Sequence, residues 1–351
     1  MLNEIFANVV QRYVALCYLS NRLFLCVNRN YLYLCMISLI QLEYIVAVDT
    51  HRHFVKAAQH CFVTQPTLSM QIKKLEEELD IIVFDRSKQP ILPTEIGNAI
   101  IRQARIILAE SKRINEIIDD YNNTISGDIT IGIIPSVAPY LLPLFIGIFT
   151  DKYPDVHLTI KELLTDEIID QLQRETIDVG ILVTPLNEKG IVEEPLFYEE
   201  MVLYVNNVHP LAHREHLDAN LLASPDLWLL NNGHCFRSQV LNLCGYRPDE
   251  SERKHFQFDS GSLETLMKMV EIEGGYTLIP ELAIPKPNPP ACVKRFSSAT
   301  PLREVSLAFT RNYYKKKILT LITQEIQSSL PPQLLDKERG YIAEWRQVSH
   351  H

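Results

Sequence analysis

A Pro that follows a Thr by two residues gives this sequence its firmest structural constraint. In Thr64-Gln65-Pro66, Thr is a favoured helix N-cap, and Pro is tolerated in a helix only within the first turn. A helix must therefore begin here. Apolar residues then recur at three- and four-residue spacing on one face, namely Leu68, Ile72, Leu75 and Leu79. The opposite face is polar and begins with Thr67 and Ser69.

Two shorter helices are predicted before this one. The first ends near Asp49, and the second runs from His53 to His60. Two short helices, a tight turn and a third helix with a polar N-terminal half match the helix-turn-helix pattern. In that arrangement the first residues of the third helix reach base edges of DNA, and its N-terminal amides hold a phosphate. Short strands at 83–86 and 91–93 are expected to form a wing.

The charge of the chain limits the kind of DNA contact it can make. The formal net charge of −9 excludes a general polyanion binder, so a local face must carry the contact. Acidic residues 76–78 lie at the far end of the third helix, which leaves the basic residues nearer its start. We expect DNA contacts from the polar and basic residues of this unit: Arg52, Thr64, Gln65, Pro66, Thr67, Ser69, Gln71, Lys73, Lys74 and Arg86.

A long helix is predicted after the wing. Thr94-Glu95 is a capping sequence, and the helical pattern continues to about Tyr121. Its apolar stripe consists of Ile96, Ile100, Ala104, Ile107, Ile114 and Ile118. The small winged unit is too short to cover such a stripe, so we expect a second copy of the chain to pair with it.

Residues 127 to about 325 alternate short apolar runs with helical patterns. This alternation predicts a parallel sheet with right-handed crossovers. Strands are expected at 128–134, 157–161, 178–183, 201–206, 227–230 and 276–279, and the run 307–311 returns late, as if to re-enter the first lobe. Ligands of open parallel sheets lie beyond the carboxyl ends of the strands, which places Ser136 and Thr165 at a cleft. A purely structural role as helix caps stays open for both residues.

Two cysteines stand nine residues apart in the most informative segment of this region. Cys235 follows Gly233-His234 at a predicted helix start, with Arg237 nearby, and helix N-termini and cations both favour a thiolate. On one continuous helix Cys235 and Cys244 would be about 13 Å apart. A disulfide needs Cα atoms within roughly 7 Å, so joining them would require the helix to unwind, as in a switch. Two ordinary buried cysteines remain the alternative.

The run LEYIVAVDTHRHFVKAAQHCFVTQPTLSMQIKKLEEEL resembles the DNA-binding domain of the LysR-type transcriptional regulators. The likeness rests on Ala57-Ala58, the QPTLS core and the Leu-Glu pair, and it extends from residue 37 to about 325. It implies an α/β chain with an N-terminal winged helix-turn-helix, a long dimerisation helix and a two-lobed, periplasmic-binding-protein-like effector domain. Lys88-Gln89-Pro90 departs from the family, whose wing is usually more basic there.

Within this family, the segments GHCFR, SLETL and LIPELAIP resemble those of members that sense hydrogen peroxide. The resemblance implies that Cys235 is the peroxidatic cysteine and Cys244 the resolving one. It also places peroxide and water beside a set of polar residues, Ser136, Thr165, His234 and Arg237, with Arg303 as a weaker candidate. Two departures are Ser136, where Thr is usual, and Ser238, where an acidic residue is usual.

The chain is expected to contain four segments. Residues 1–35 are interpreted as an upstream extension that is not native, 37–94 as the winged helix-turn-helix, 95–124 as the dimerisation helix and 127–325 as the effector domain. No apolar run reaches the length of about 18 residues expected of a membrane span. Seven cysteines in 351 residues are too sparse for a secreted disulfide scaffold and fit the reducing cytoplasm.

The sequence therefore predicts a DNA-binding transcription regulator rather than an enzyme, with no metal and no cofactor. Its expected partners are double-stranded operator DNA, further copies of itself in a dimer or tetramer, RNA polymerase, and hydrogen peroxide as effector. Two alternatives stay open. One is a LysR-type regulator that binds a small anionic metabolite in the same cleft, and the other is a thiol peroxidase.

Overall fold

The computed structural model describes residues 37–122, 124–245, 260–285, 292–297, 300–313 and 315–344. The chain divides into two compact units, Met1–Leu108 and Ala109–His351, each described here by itself. The division falls inside the predicted dimerisation helix, so the first half of that helix belongs with the winged unit. The predicted upstream extension, residues 1–35, lies outside the described residues.

Three helices and a two-stranded wing form the N-terminal unit, as predicted. The helices are α1 (Leu39–His51), α2 (Phe54–His60) and α3 (Gln65–Leu79), and the wing strands are β1 (Phe84–Asp85) and β2 (Leu92–Pro93), which pair antiparallel. Thr64 caps α3, since its Oγ1 accepts from the N–H of Thr67 at 3.4 Å. The predicted apolar face of α3 is buried, with Leu68, Ile72 and Leu75 fully inside the core of this unit.

The helix α1 continues two residues past its predicted end. Arg52 takes a left-handed conformation (φ 51°) and donates its N–H to the Val48 carbonyl, which closes the helix after His51. A buried ion pair then ties α1 to the long helix α4 (Glu95–Asn122), because Arg105 Nη2 lies 2.9 Å from Asp49 Oδ2. The first half of α4 is therefore fastened to the winged unit by charge as well as by apolar packing.

The first lobe of the second unit contains the predicted parallel strands. Strands β3 (Gly127–Ile133), β4 (Val156–Glu162) and β5 (Val179–Thr184) lie in the order β4-β3-β5, connected by α5 (Ala138–Lys152) and α6 (Thr165–Gln173). The late strand β9 (Pro301–Thr310) pairs antiparallel with β5, which confirms that the chain re-enters this lobe.

One long strand joins the two lobes. β6 (Ile191–Val205) pairs with β9 along its first part and with β7 (Tyr276–Pro280) and β8 (Cys292–Lys294) along its last part. The second lobe also holds α7 (Cys235–Cys244) and α8 (Leu263–Glu273).

The strand predicted at 227–230 is wrong. Leu227 makes a single bridge to Tyr276, and the Trp228 carbonyl then accepts from the Thr277 hydroxyl at 2.9 Å. The Thr277 side chain therefore occupies the carbonyl that a backbone N–H of a strand partner would use, and the backbone pairing ends at this residue.

The effector region extends past the predicted end at residue 325. Helix α9 (Lys316–Ser329) is followed by two short 3₁₀ turns and by β10 (Tyr341–Ile342), which pairs parallel with β9. Each lobe has its own hydrophobic core, and Cys235 belongs to the first core whereas Cys244 belongs to the second. Among the described helices, none is long and apolar enough to cross a membrane.

Candidate functional site

Helix α7 carries both cysteines of the predicted pair, at its first and last positions. Gly233 has φ +96° and turns the chain toward His234, the N-cap of the helix. Gly245, with φ +60°, ends the helix after Cys244. Because the helix is continuous, its ends are separated by about 13 Å, as the spacing predicted. No disulfide can form between them while α7 is intact.

The thiol of Cys235 is buried, with 5% of the residue exposed. Burial raises the pKa of this thiol, and the Thr165 hydroxyl and the Arg303 charge oppose the rise only in part. The backbone amides at the start of α7 also lower this pKa, as the sequence predicted, and the cation that lowers it is Arg303 rather than Arg237. Desolvation outweighs these effects, and the resting thiol is protonated.

Arg303, the weaker candidate in the sequence, is the cation beside the thiol. The residue is 0% exposed, and its Nη1 donates to Ser136 Oγ at 3.0 Å. Its guanidinium carbon lies 5.0 Å from the centre of the Phe236 ring, the residue next to Cys235. Arg237 instead donates to the Leu230 carbonyl at 2.7 Å and so binds the backbone of the segment before α7.

Glu199 is the principal site residue that sequence reasoning missed. Arg303 Nε and Nη2 both donate to Glu199 Oε1, at 3.1 and 2.6 Å. Two cationic donors on one oxygen at such short distances identify an ionised carboxylate. Burial raises the pKa of Glu199, and Arg303 opposes that rise. An available signal was the pair Glu199-Glu200 directly before the apolar run Met201–Val205.

Thr165 supplies a buried hydroxyl next to the sulfur. It is the first residue of α6, and its hydroxyl lowers the pKa of the Cys235 thiol. Burial lowers the pKa of the neighbouring His234, so its ring is neutral. The Oδ1 of Asn231 is buried and without a partner in the described part of the chain. The site therefore has buried polar atoms to which a small polar ligand can hydrogen-bond.

Cys244 is in a different environment from Cys235. It lies in the apolar core of the second lobe, where burial raises its pKa to about 12. Ser238, at the position where the family usually has an acidic residue, is half-buried between the two cysteines on α7. The structure thus brings Ser136, Thr165 and Arg303 together around Cys235 and keeps Cys244 apart.

The predicted DNA-binding residues fall into two groups. Those of α3 and its cap share one surface, where Lys73 and Lys74 pair with Glu77 and Glu78 at 3.5 and 3.6 Å. The other two are engaged in closer ion pairs. Arg52 lies 2.9 Å from Asp49, and Arg86 lies 2.9 Å from Glu76 with its guanidinium over the Phe54 ring. These ion pairs hold the two side chains in place.

Comparison with known proteins matches both units. Residues 39–98 match the family "Bacterial regulatory helix-turn-helix protein, lysR family", and residues 122–329 match "LysR substrate binding domain". The "Hydrogen peroxide-inducible genes activator" of Haemophilus influenzae is 36% identical over 296 residues, which cover 82% of this chain and 97% of the relative.

Solved structures give the same result. A full-length OxyR variant from Pseudomonas aeruginosa is 32% identical with a TM-score of 0.69, over 83% of this chain and 97% of that chain. A hydrogen peroxide-bound OxyR mutant from Corynebacterium glutamicum is 29% identical with a TM-score of 0.55, over 83% and 92%. With both units matched in order along the chain, this protein belongs to the LysR family of bacterial helix-turn-helix transcription regulators.

Proposed function

We propose that this protein is a transcription regulator that senses hydrogen peroxide through Cys235 and Cys244. The observation that carries the proposal is the buried Thr165 hydroxyl beside a buried thiol and the Arg303–Glu199 ion pair. The relatives with this architecture include a peroxide-inducible activator and a peroxide-bound OxyR structure, which supports peroxide as the effector.

The chemistry begins with the loss of the Cys235 proton when peroxide binds. The sulfur attacks one peroxide oxygen, the O–O bond breaks, and the departing oxygen takes a proton and leaves as water. Cys235 is then a sulfenic acid. The Cys244 thiol attacks the sulfenic sulfur, an S–S bond forms, and a second water leaves. Two thiols are oxidised by two electrons, and one peroxide is reduced to two waters.

The side chains around Cys235 have distinct roles in this scheme. Peroxide donates and accepts hydrogen bonds, and the Thr165 hydroxyl does both as well. Ser136 holds Arg303 in place, and Arg303 stabilises the negative charge that develops on sulfur and on the departing oxygen. The neutral His234 closes the site at the start of α7.

Cys244 reaches Cys235 only if α7 unwinds. Each end of α7 is fixed in a different hydrophobic core, so disulfide formation changes the packing of both lobes. We propose that this repacking alters operator binding and contact with RNA polymerase, in a dimer or tetramer. Return to the reduced state requires cellular thiol reductants, which fits a cytoplasmic protein.

A small anionic metabolite is a weaker candidate for the effector. The only cation beside the thiol among the described residues, Arg303, is fully buried and already neutralised by Glu199. An anion would have to displace that carboxylate at a large desolvation cost. A peroxidase function is disfavoured because every turnover would require α7 to unwind and refold.

Thiol mass spectrometry after a brief exposure to micromolar peroxide tests the redox assignment. We expect a Cys235–Cys244 disulfide in the wild type and a trappable sulfenic acid at Cys235 in Cys244→Ser. Cys292→Ser is the matched control, since Cys292 is a half-buried thiol on β8, and it should behave as the wild type. Reduced Cys235 after this treatment would contradict the proposal, as would an unchanged peroxide response in Cys235→Ser.

The DNA-binding assignment has its own test. Substituting Gln65 and Thr67 with Ala should weaken binding to an operator and relax its sequence preference, because both residues lie in the first turn of α3. Affinity should also fall steeply with salt, because bound phosphates release counterions. Asp151→Ala, at an exposed position of α5 in the second unit, is the control. Unchanged affinity and preference in the Gln65 and Thr67 variants would exclude α3 as the recognition element.

A further inference from the structure

The outward face of α3 has an apolar side chain at its centre. Pro66, Met70, Lys73 and Glu77 follow one another at three- and four-residue spacing, opposite the buried Leu68 and Ile72. Met70 is 62% exposed. It therefore lies on the most outward line of the helix, between the N-terminal turn and the basic residues. In a helix-turn-helix protein this line enters the major groove.

The chemistry of Met70 differs from that of its neighbours on this face. Gln65, Thr67, Ser69 and Lys73 have hydrogen-bonding groups, and such groups read the donors and acceptors of base edges. Methionine is flexible and apolar, and its thioether is only a weak acceptor. Among the base edges of the major groove, the one apolar group is the C5 methyl of thymine.

We infer that Met70 contacts a thymine methyl group in the operator and so determines sequence preference at that position. This inference rests on the proposed DNA-binding function and deepens it. The contact removes the exposed thioether and a methyl group from water together, which gives a Met side chain on this face a favourable role. The exposed apolar residues that flank α3 in sequence, Phe62 in the turn before it and Ile82 after it, lie off this line.

Deoxyuridine provides the test, because it is thymidine without the C5 methyl. Operator duplexes are first selected from a random pool by the full-length wild-type chain. Each thymine is then replaced in turn by deoxyuridine, and affinity is measured for the wild type, Met70→Ala, Met70→Leu and Ile82→Ala. The expected loss at the contacted thymine is about fourfold in the wild type, the effect of one buried methyl group.

The variants separate the possible outcomes. Met70→Ala should bind the thymine and deoxyuridine duplexes equally well at that position, whereas Met70→Leu and Ile82→Ala should keep the loss. If Met70→Ala keeps the full loss at every position, or if no thymine is sensitive in the wild type, the inference is overturned while DNA binding stands. If the wild type selects no duplex, the proposed DNA-binding function fails, and the inference fails with it.

Discussion

At the scale of single residues, a buried ion pair determines the charge beside the Cys235 thiol. Arg303 and Glu199 come from neighbouring strands and are 104 positions apart in sequence. Local sequence signals do not report such pairing, which explains why Glu199 was missed and Arg303 ranked low. Gly233, Cys235 and Arg237, by contrast, are local features of one helix start, and the helix start was predicted. The protonated state of Cys235 depends on burial, which only the folded chain shows.

Removing the carboxylate of the pair should have two opposite effects. In Glu199→Gln, the buried Arg303 charge loses its partner, so the free energy of unfolding should fall by about 3–5 kcal/mol. The same unopposed charge should lower the pKa of the Cys235 thiol and speed its alkylation at neutral pH. Chemical denaturation and the pH dependence of iodoacetamide labelling measure the two effects. Glu194→Gln, exposed on the same strand, should change neither.

The raised pKa of Cys244 predicts a loss of stability in alkali. Its thiol keeps its proton in the folded chain up to a pKa of about 12, whereas an unfolded cysteine ionises near pH 8.5. The folded state therefore binds more protons in this window, and its stability is lost as the pH rises through it. Urea unfolding under reducing conditions should show the wild type losing roughly 1 kcal/mol more per pH unit than Cys244→Ala above about pH 9. Parallel pH profiles would contradict the burial of this thiol.

At the scale of elements, the C-terminal segment is hydrogen-bonded to α7, the helix that the proposed disulfide would unwind. Gln239 Nε2 donates to the Ala343 carbonyl at 2.9 Å, and Asn242 Nδ2 donates to the Glu344 carbonyl at 3.1 Å. β10 pairs with β9, and Arg339 lies 2.8 Å from Glu200 and 2.9 Å from Glu281. The segment therefore links α7, which bears both cysteines, to β9, the strand that bears Arg303.

Truncation after Gly340 should release α7 from this link. We expect the Cys235 sulfenic acid to convert to the disulfide several-fold faster, since two hydrogen bonds that hold α7 are absent, each worth about 1 kcal/mol. The rate is measured by quenched-flow alkylation after peroxide addition. Truncation after Glu344 retains both contacts and should match the wild type. Equal rates in the two truncations would show that the segment does not restrain the helix.

Element prediction succeeded where local chemistry fixes the backbone. Thr64 and Pro66 determined the start of α3, and short apolar runs that alternate with helical patterns located β3 to β5. The strand expected at 227–230 failed because the Thr277 side chain takes a backbone acceptor there, and a hydropathy pattern contains no such information. The C-terminal segment past residue 325 was missed because its helix is stabilised by packing against the first core, to which Ile322 and Ile326 contribute.

At the scale of the whole molecule, the long helix α4 exposes part of its predicted apolar stripe. The structure divides the predicted stripe. Ala104 is buried and Ile100 half-buried in the winged core, whereas Ile96 at one end and Ile107, Ile114 and Ile118 at the other are exposed. A dimer contact is thus expected from the C-terminal part of the stripe, and a charge at Ile100 would also disturb the winged core.

Charged substitutions at Ile107 and Ile114 should therefore yield monomers that bind an operator weakly. Each side chain is exposed, so folding should be preserved, and the loss should come from the dimer contact alone. Sedimentation velocity measures the assembly, and circular dichroism checks the fold. Arg102→Glu, on an exposed position of the same helix outside the stripe, is the control. An intact dimer in the doubly charged variant would place the contact elsewhere.

Arg303 and Glu199 neutralise each other, and this absence of net charge in the pair affects which oxidants can enter the site. Superoxide is an anion at neutral pH, and a buried site whose cation is already compensated gives it no charge to replace its hydration. Hydrogen peroxide is uncharged and loses far less on entry. Selectivity among oxidants would then come from the free-energy cost of desolvating the oxidant. Uncharged hydrogen peroxide, although it reacts slowly, would therefore enter the site more readily than a more reactive anion.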